Sequence, residues 1–183
     1  MRNNDDDIKI FRPKKSDWSG TDPDLTSIAG IMDKHRANGN SAKACILGER
    51  LADITPEDLF DGGVSSLPNN VLMQLRSLMV FAAQISLTKY LPFTILSTQA
   101  VNAMYARIEA TAPGFFANIA DGSSFSFYYL AVRKNEPVSE IGNDFAMLCD
   151  DDDNEELKAL GMRAFEETET KVISLIEEFE FEG

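Results

Sequence analysis

Few residues in this chain have the type and spacing that chemistry needs. His35 is the only histidine, so neither HExxH nor any two-histidine metal site can be built within one copy. It sits between Lys34 and Arg36 near the expected end of a helix, where a cation complements the negative pole, and it reads as a surface cap. A dyad with Cys45 requires the first two helices to bring the two side chains together. Cys45 and Cys149 show no CxxC spacing. Each has apolar neighbours (Ala44 and Ile46; Leu148), and both read as buried free thiols. The run Asp150-Asp151-Asp152-Asp153-Asn154 has calcium-loop character. An EF-hand loop opening at Asp150 needs glycine at position 155 and glutamate at 161, but Glu155 and Gly161 stand there. The run therefore reads as a loop and helix cap, and no metal or other cofactor is expected.

Carboxylates dominate the last quarter of the chain. Glu166, Glu167, Glu169, Glu177, Glu178 and Glu180 flank an apolar stripe and read as a solvated helix face. Glu177, Glu178, Glu180 and Glu182 crowd the end of that helix, where negative charge opposes the dipole. A basic protein partner would relieve this, so Glu177, Glu178 and Glu180 form a candidate interaction surface. Trp18, the sole tryptophan, lies in an otherwise polar segment. It either docks that segment on its own domain or anchors a partner, as tryptophan does at interface hot spots.

Other patterns point to ordinary roles. Gly62-Gly63-Val64-Ser65-Ser66 and Asp121-Gly122-Ser123-Ser124 each precede an expected helix, and neither GxxxxGK[ST] nor GxGxxG is present. Lys34, His35, Arg36, Lys43 and Arg50 give the first two helices a loose helix-turn-helix look, but Asp33, Glu49, Asp53, Glu57 and Asp58 intrude. Met73, Met79, Met104 and the aromatic residues read as core filling. Arg107 and Glu109 are rare charges in the apolar middle of the chain and need partners if buried.

The net charge of −13 is uneven: the balance is −3 over residues 1–64, +3 over 65–135 and −13 over 136–183. The middle stretch should therefore form the core. An acidic chain repels phosphate backbones and anionic lipid, so nucleic acid is disfavoured and no membrane contact is expected. The first seven residues contain no apolar region of a secretory signal, and the expected location is cytoplasmic. The longest apolar stretch, 78–96, is interrupted by Gln84, Lys89 and Pro92 and reads as a buried helix.

The elements that must position these residues are helices. Residues 1–22 are poor in apolar side chains and read as a flexible or peripherally docked tail, and residues 23–183 as one helical domain. A first helix is expected from Asp22-Pro23-Asp24, stopped at Gly39. A second opens at Ser41, a third at Thr55-Pro56, a fourth at Pro68 and a fifth spans about 93–111. Short helices follow at 114–120 and about 123–134, the latter chosen over a strand although Ser124-Phe125-Ser126-Phe127 alternates. Ser139 caps another. The last helix opens at a capping box over 153–156, with Asp153 as the cap, and runs about 27 residues behind the stripe Leu157, Leu160, Gly161, Ala164, Phe165, Thr168, Val172, Leu175, Ile176, Phe179.

The sequence thus predicts an all-α, single-domain bundle of about six to eight helices with a long amphipathic C-terminal helix. The leading functional expectation is a non-enzymatic helical interaction or adaptor protein, with a basic protein partner and self-association through an apolar helix face as its modes of binding. The alternative is a small-ligand binder or enzyme with a carboxylate-based site between helices.

Overall fold

The computed structural model describes residues 25–60 and 63–182. Trp18, the expected N-terminal tail and the expected cap at Asp22 lie outside these residues. The described chain is all-α: α1 Leu25–Ala37, α2 Asn40–Ala52, α3 Pro56–Leu59, a 3-10 turn Val64–Ser66, α4 Asn69–Tyr90, α5 Thr94–Thr111, α6 Pro113–Ala120, α7 Ser123–Ala131, α8 Pro137–Leu148 and α9 Glu155–Phe179. That makes nine α-helices among the described residues, against the expected six to eight. Each of the nine is expected individually from the sequence, including the short α6 and α7, which open at Pro113 and after Gly122.

α4 is the central element. Leu75, Leu78, Phe81, Ala82 and Leu87 are fully buried, and α9, α5, α7, α8 and α3 all pack on it. Its apolar residues run nearly all round the helix, as a buried central helix requires. By length and composition α4 could also cross a membrane, but 61% of its most apolar window is buried by the other helices. The Phe81 ring lies 5.0–5.5 Å from the rings of Phe125, Tyr128 and Tyr129. This is why the alternating segment around Phe125 forms a helix: Phe125 and Tyr128 share a helical face aimed at Phe81, and no strand is present among the described residues to pair with it.

Two tight helix pairs frame α4. α2 lies against α5 so closely that a Cβ on Gly48 would stand 2.0 Å from the Ala100 carbonyl oxygen. Only glycine lets the two backbones approach this far. α8 and α9 form the other pair, with Gly161 seated on the Phe145 side chain. The 25 residues of α9 span about 38 Å. They bury Gly161, Ala164, Phe165, Thr168, Val172 and Leu175, as the stripe predicts.

The helix ends depart from expectation in detail. α2 opens at Asn40, not Ser41: Gly39 takes the left-handed conformation (φ 80°) and turns the chain sharply. Pro68 is extended and precedes α4, which starts at Asn69. α8 starts at Pro137, whose ring fixes φ for the first turn, so Ser139 lies inside the helix instead of capping it. α7 ends at Ala131, short of 134. At α9 the cap is Asn154, not Asp153, and its side-chain oxygen accepts from Glu156 N–H (3.0 Å) and Leu157 N–H (3.1 Å).

Candidate functional site

The charged residues of interest collect at the two ends of α9, and each end is built differently. At the C-terminal end no basic residue occupies the last turn, so the exposed carbonyls and the acids repel one another. α2 supplies the countercharge. Arg50 Nη1 donates to Glu178 Oε1 at 2.6 Å, and its guanidinium lies 5.4 Å from the Phe179 ring. Lys43 Nζ donates to the Glu180 carbonyl at 3.0 Å. Glu180 is left-handed (φ 46°), a conformation that costs a residue with a Cβ on the order of 1 kcal/mol. The chain then runs past the start of α2, where the Asn40 side chain pairs with the backbone of Glu182. Arg50 and Glu178 are each about half exposed, so this ion pair contributes below about 1 kcal/mol.

The N-terminal end is open. Cys149 ends α8, and Asp150 turns the chain through the left-handed region (φ 62°). Asp151 N–H donates to the Ala146 carbonyl, and Asn154 Nδ2 to Asp151 Oδ2 at 2.8 Å. Asp150, Asp151, Asp152, Asp153, Glu155 and Glu156 are all exposed. Lys158 Nζ reaches Glu155 at 2.7 Å. Beside this turn a cleft of about 360 Å³ separates it from the start of α4. Leu67, Val71, Leu157 and Leu160 give the cleft an apolar floor, and Asp151 and Glu156 stand among its lining residues. α4 has no acid in its own first turn and no side-chain cap.

Cys149, which lines this cleft, is a poor nucleophile. Burial, with Asp150 adding to it, pushes the Cys149 thiol up to about 11, leaving almost no thiolate at neutral pH. Tyr128 is fully buried, and burial drives its phenol far above the usual range. Its hydroxyl has no hydrogen-bond partner among the described residues. Burial also raises the Asp144 carboxyl, which Lys134 opposes. Among the described residues no group of three or more histidine, cysteine or acidic side chains is placed to hold a metal ion.

The other sequence candidates fall elsewhere. His35 is not a surface cap: it is 2% exposed, its ring centroid is 4.5 Å from that of Phe93, and Nδ1 lies 3.3 Å from Asn40 Nδ2. Cys45 is half-buried instead of buried, and the two thiols are free. Arg107 is exposed and grips Asp53 of α2 with two bonds of 3.0 and 3.1 Å. Met79 and Met104 fill the core as expected, whereas Met73 is exposed. In the turn before α4, Ser66 Oγ donates to the Gly63 carbonyl; before α7, Ser123 N–H donates to Asp121 Oδ1. Ordinary turn bonds therefore account for both Gly/Ser segments.

Sequence reasoning missed two features. One is the cleft, whose walls are about 80 residues apart in the chain. The other is exposed apolar surface: Ile28 and Ile31 on α1, and Phe127 and Leu130 on α7, with Leu130 61% exposed. Helical spacing marks such residues as a face without saying whether anything covers it. A scan against protein-family models, a search of curated proteins and a search of solved structures each returned no match to this chain.

Proposed function

We propose that the protein is a non-enzymatic helical interaction or adaptor protein that receives a basic segment of a partner protein in the cleft between α4 and the α8–α9 turn. One observation carries the reading: an apolar floor and exposed acids meet at one place on a surface that is already acidic. A segment with a leucine or phenylalanine flanked by lysines or arginines matches both parts. The apolar side chain would displace water from Leu67, Val71, Leu157 and Leu160, while the cations meet Asp151 and Glu156. The acids at the other end of α9 support this role less, because Arg50 of the same chain already pairs with Glu178 and Lys43 holds the Glu180 carbonyl.

The test is binding of fluorescent peptides to the full chain. A Lys/Arg-flanked leucine peptide should bind, and should weaken at least about tenfold when salt rises from 0.05 to 0.5 M, as exposed charges are screened (both concentrations about these values). Asp151→Asn with Glu156→Gln should abolish binding while leaving the helical signal unchanged. Equal binding of a peptide with the leucine replaced by serine, or unchanged binding to the double variant, would refute the reading.

The same cleft supports the alternative of a small-ligand site with carboxylates between helices, because Asp151 and Glu156 stand beside an apolar floor. That reading requires a compact apolar amine to raise the melting temperature in a manner lost in the double variant. Self-association is favoured by α1, which packs chiefly on α2 and leaves Ile28 and Ile31 exposed. A concentration-dependent mass that Ile28→Ser with Ile31→Ser abolishes is the outcome it requires.

A further inference from the structure

We propose that His35 and Asn40 form a proton-operated latch on the C-terminal segment, closed while the imidazole is neutral and opened by its protonation. Asn40 is completely buried at the start of α2. Its Oδ1 accepts from Glu182 N–H at 3.1 Å, and its Nδ2 donates to the Glu182 carbonyl at 2.7 Å. These two bonds fix the orientation of the amide, because turning it over would set donor against donor and acceptor against acceptor. The second Nδ2 hydrogen is then left for His35 Nδ1, 3.3 Å away. Nδ1 must accept, so the neutral ring carries its proton on Nε2.

Protonation puts a hydrogen on Nδ1 and brings two donors face to face. The ring is held against Phe93 and is 2% exposed, so it has little room to withdraw. The amide can relieve the conflict by rotating to offer Oδ1 to Nδ1–H. That rotation removes both bonds to Glu182 in one step. The element has two arrangements, one satisfying the strap and the other the cation, and the proton selects between them. The charged groups around it are Asp33, Lys34 and Arg36 on α1, Lys43 on α2, which holds the Glu180 carbonyl, and the exposed Glu180 and Glu182 on the strap; α5 presents the uncharged Phe93 at its start. Opening frees Phe181, which is packed against the core with its ring 6.3 Å from that of Phe179.

Because the chain has one histidine, its ring signals are unambiguous in NMR of the full-length protein. Long-range ¹H–¹⁵N spectra of the neutral ring should show the Nε2–H tautomer. As the ring gains its proton, the Glu182 amide should lose protection about tenfold, as expected for loss of a hydrogen bond, while the Val172 amide in α9 stays protected. His35→Leu keeps an apolar group against Phe93 and offers no site for the proton, so in that variant the Glu182 amide should lose its response to pH. An Nδ1–H tautomer in the neutral protein, or Glu182 protection that ignores the state of the ring, would overturn the latch.

Discussion

The two ends of α9 carry similar charge and meet opposite fates. At the C-terminal end the acids face a negative pole, and the structure answers with cations from α2 and the amide of Asn40. At the N-terminal end the acids face a positive pole, which stabilises them; Glu155 also pairs with Lys158, while Asp151 and Glu156 stay exposed beside an apolar cleft. Glu178, which opposes the helix dipole, is paired with Arg50 within the fold. An acid that agrees with it can be left on the surface for another molecule. The count of acids alone therefore does not distinguish the two ends.

The comparison breaks most severely through the helix pairs that hold each end. Gly48→Ala forces a methyl group to 2.0 Å from the Ala100 carbonyl oxygen, and backbone cannot yield cheaply there. It should cost about 3 kcal/mol or more in urea unfolding. It should also loosen the C-terminal seat, because Asn40, Lys43 and Arg50 ride on α2. Gly161→Ala meets the Phe145 side chain at 2.6 Å, where a rotamer shift gives some relief, so about 2 kcal/mol is expected, felt at the α8–α9 end. Equal and small effects of the two changes would show that neither pair is as tightly packed as described.

Midway along α9, Glu169 accepts from Tyr90 at 2.7 Å and from Lys89 at 3.0 Å. Burial pushes its carboxyl up, but the two hydrogen bonds and the Lys89 charge outweigh this and hold it below its ordinary value. A depressed carboxylate contributes stability above its unfolded value, near 4.5, and loses that contribution as pH falls through the lower folded value. Glu169→Gln should therefore cost about 1 kcal/mol at pH 7, and the cost should shrink on acidification. A cost that grows as the pH falls would contradict the assignment.

Smaller effects sharpen the contrast between the ends. Arg50→Ala should cost under about 1 kcal/mol, part of it from lost packing on Phe179, and Asp152→Asn should cost nothing measurable by thermal melting. Thiol labelling reads both ends without changing stability. Half-buried Cys45 on α2 should react first, and Cys149, 5% exposed with its thiol pushed up to about 11, only on unfolding. Rapid labelling of both thiols would place the α8–α9 turn among the loose parts of the molecule.

Much of the fold was legible in the chain. The stripe on α9, the nearly continuous apolar residues of α4 and the Gly39 stop all follow from local spacing and backbone preference, and each appears where it was expected. The cap of α9 was displaced by one residue, and Ser139 lost its role to Pro137, because several neighbouring residues can cap and packing chooses among them. The site was much less legible. His35 looked like a surface cation between Lys34 and Arg36, yet its burial depends on Phe93 and Asn40, neither of which its flanking sequence reveals.

The sequence by itself determined that this protein is helical, where most helices lie and which chemistries are absent from its motifs, since these depend on residue type and on spacing within a few turns. The tertiary structure alone decided that Arg50 meets Glu178 and Lys43 the Glu180 carbonyl, that a cleft opens between Leu67 and Leu160, and that the Asn40 amide closes on Glu182. Those contacts join residues up to 142 positions apart, and only the packing of helices on one another brings such residues within reach of a hydrogen bond.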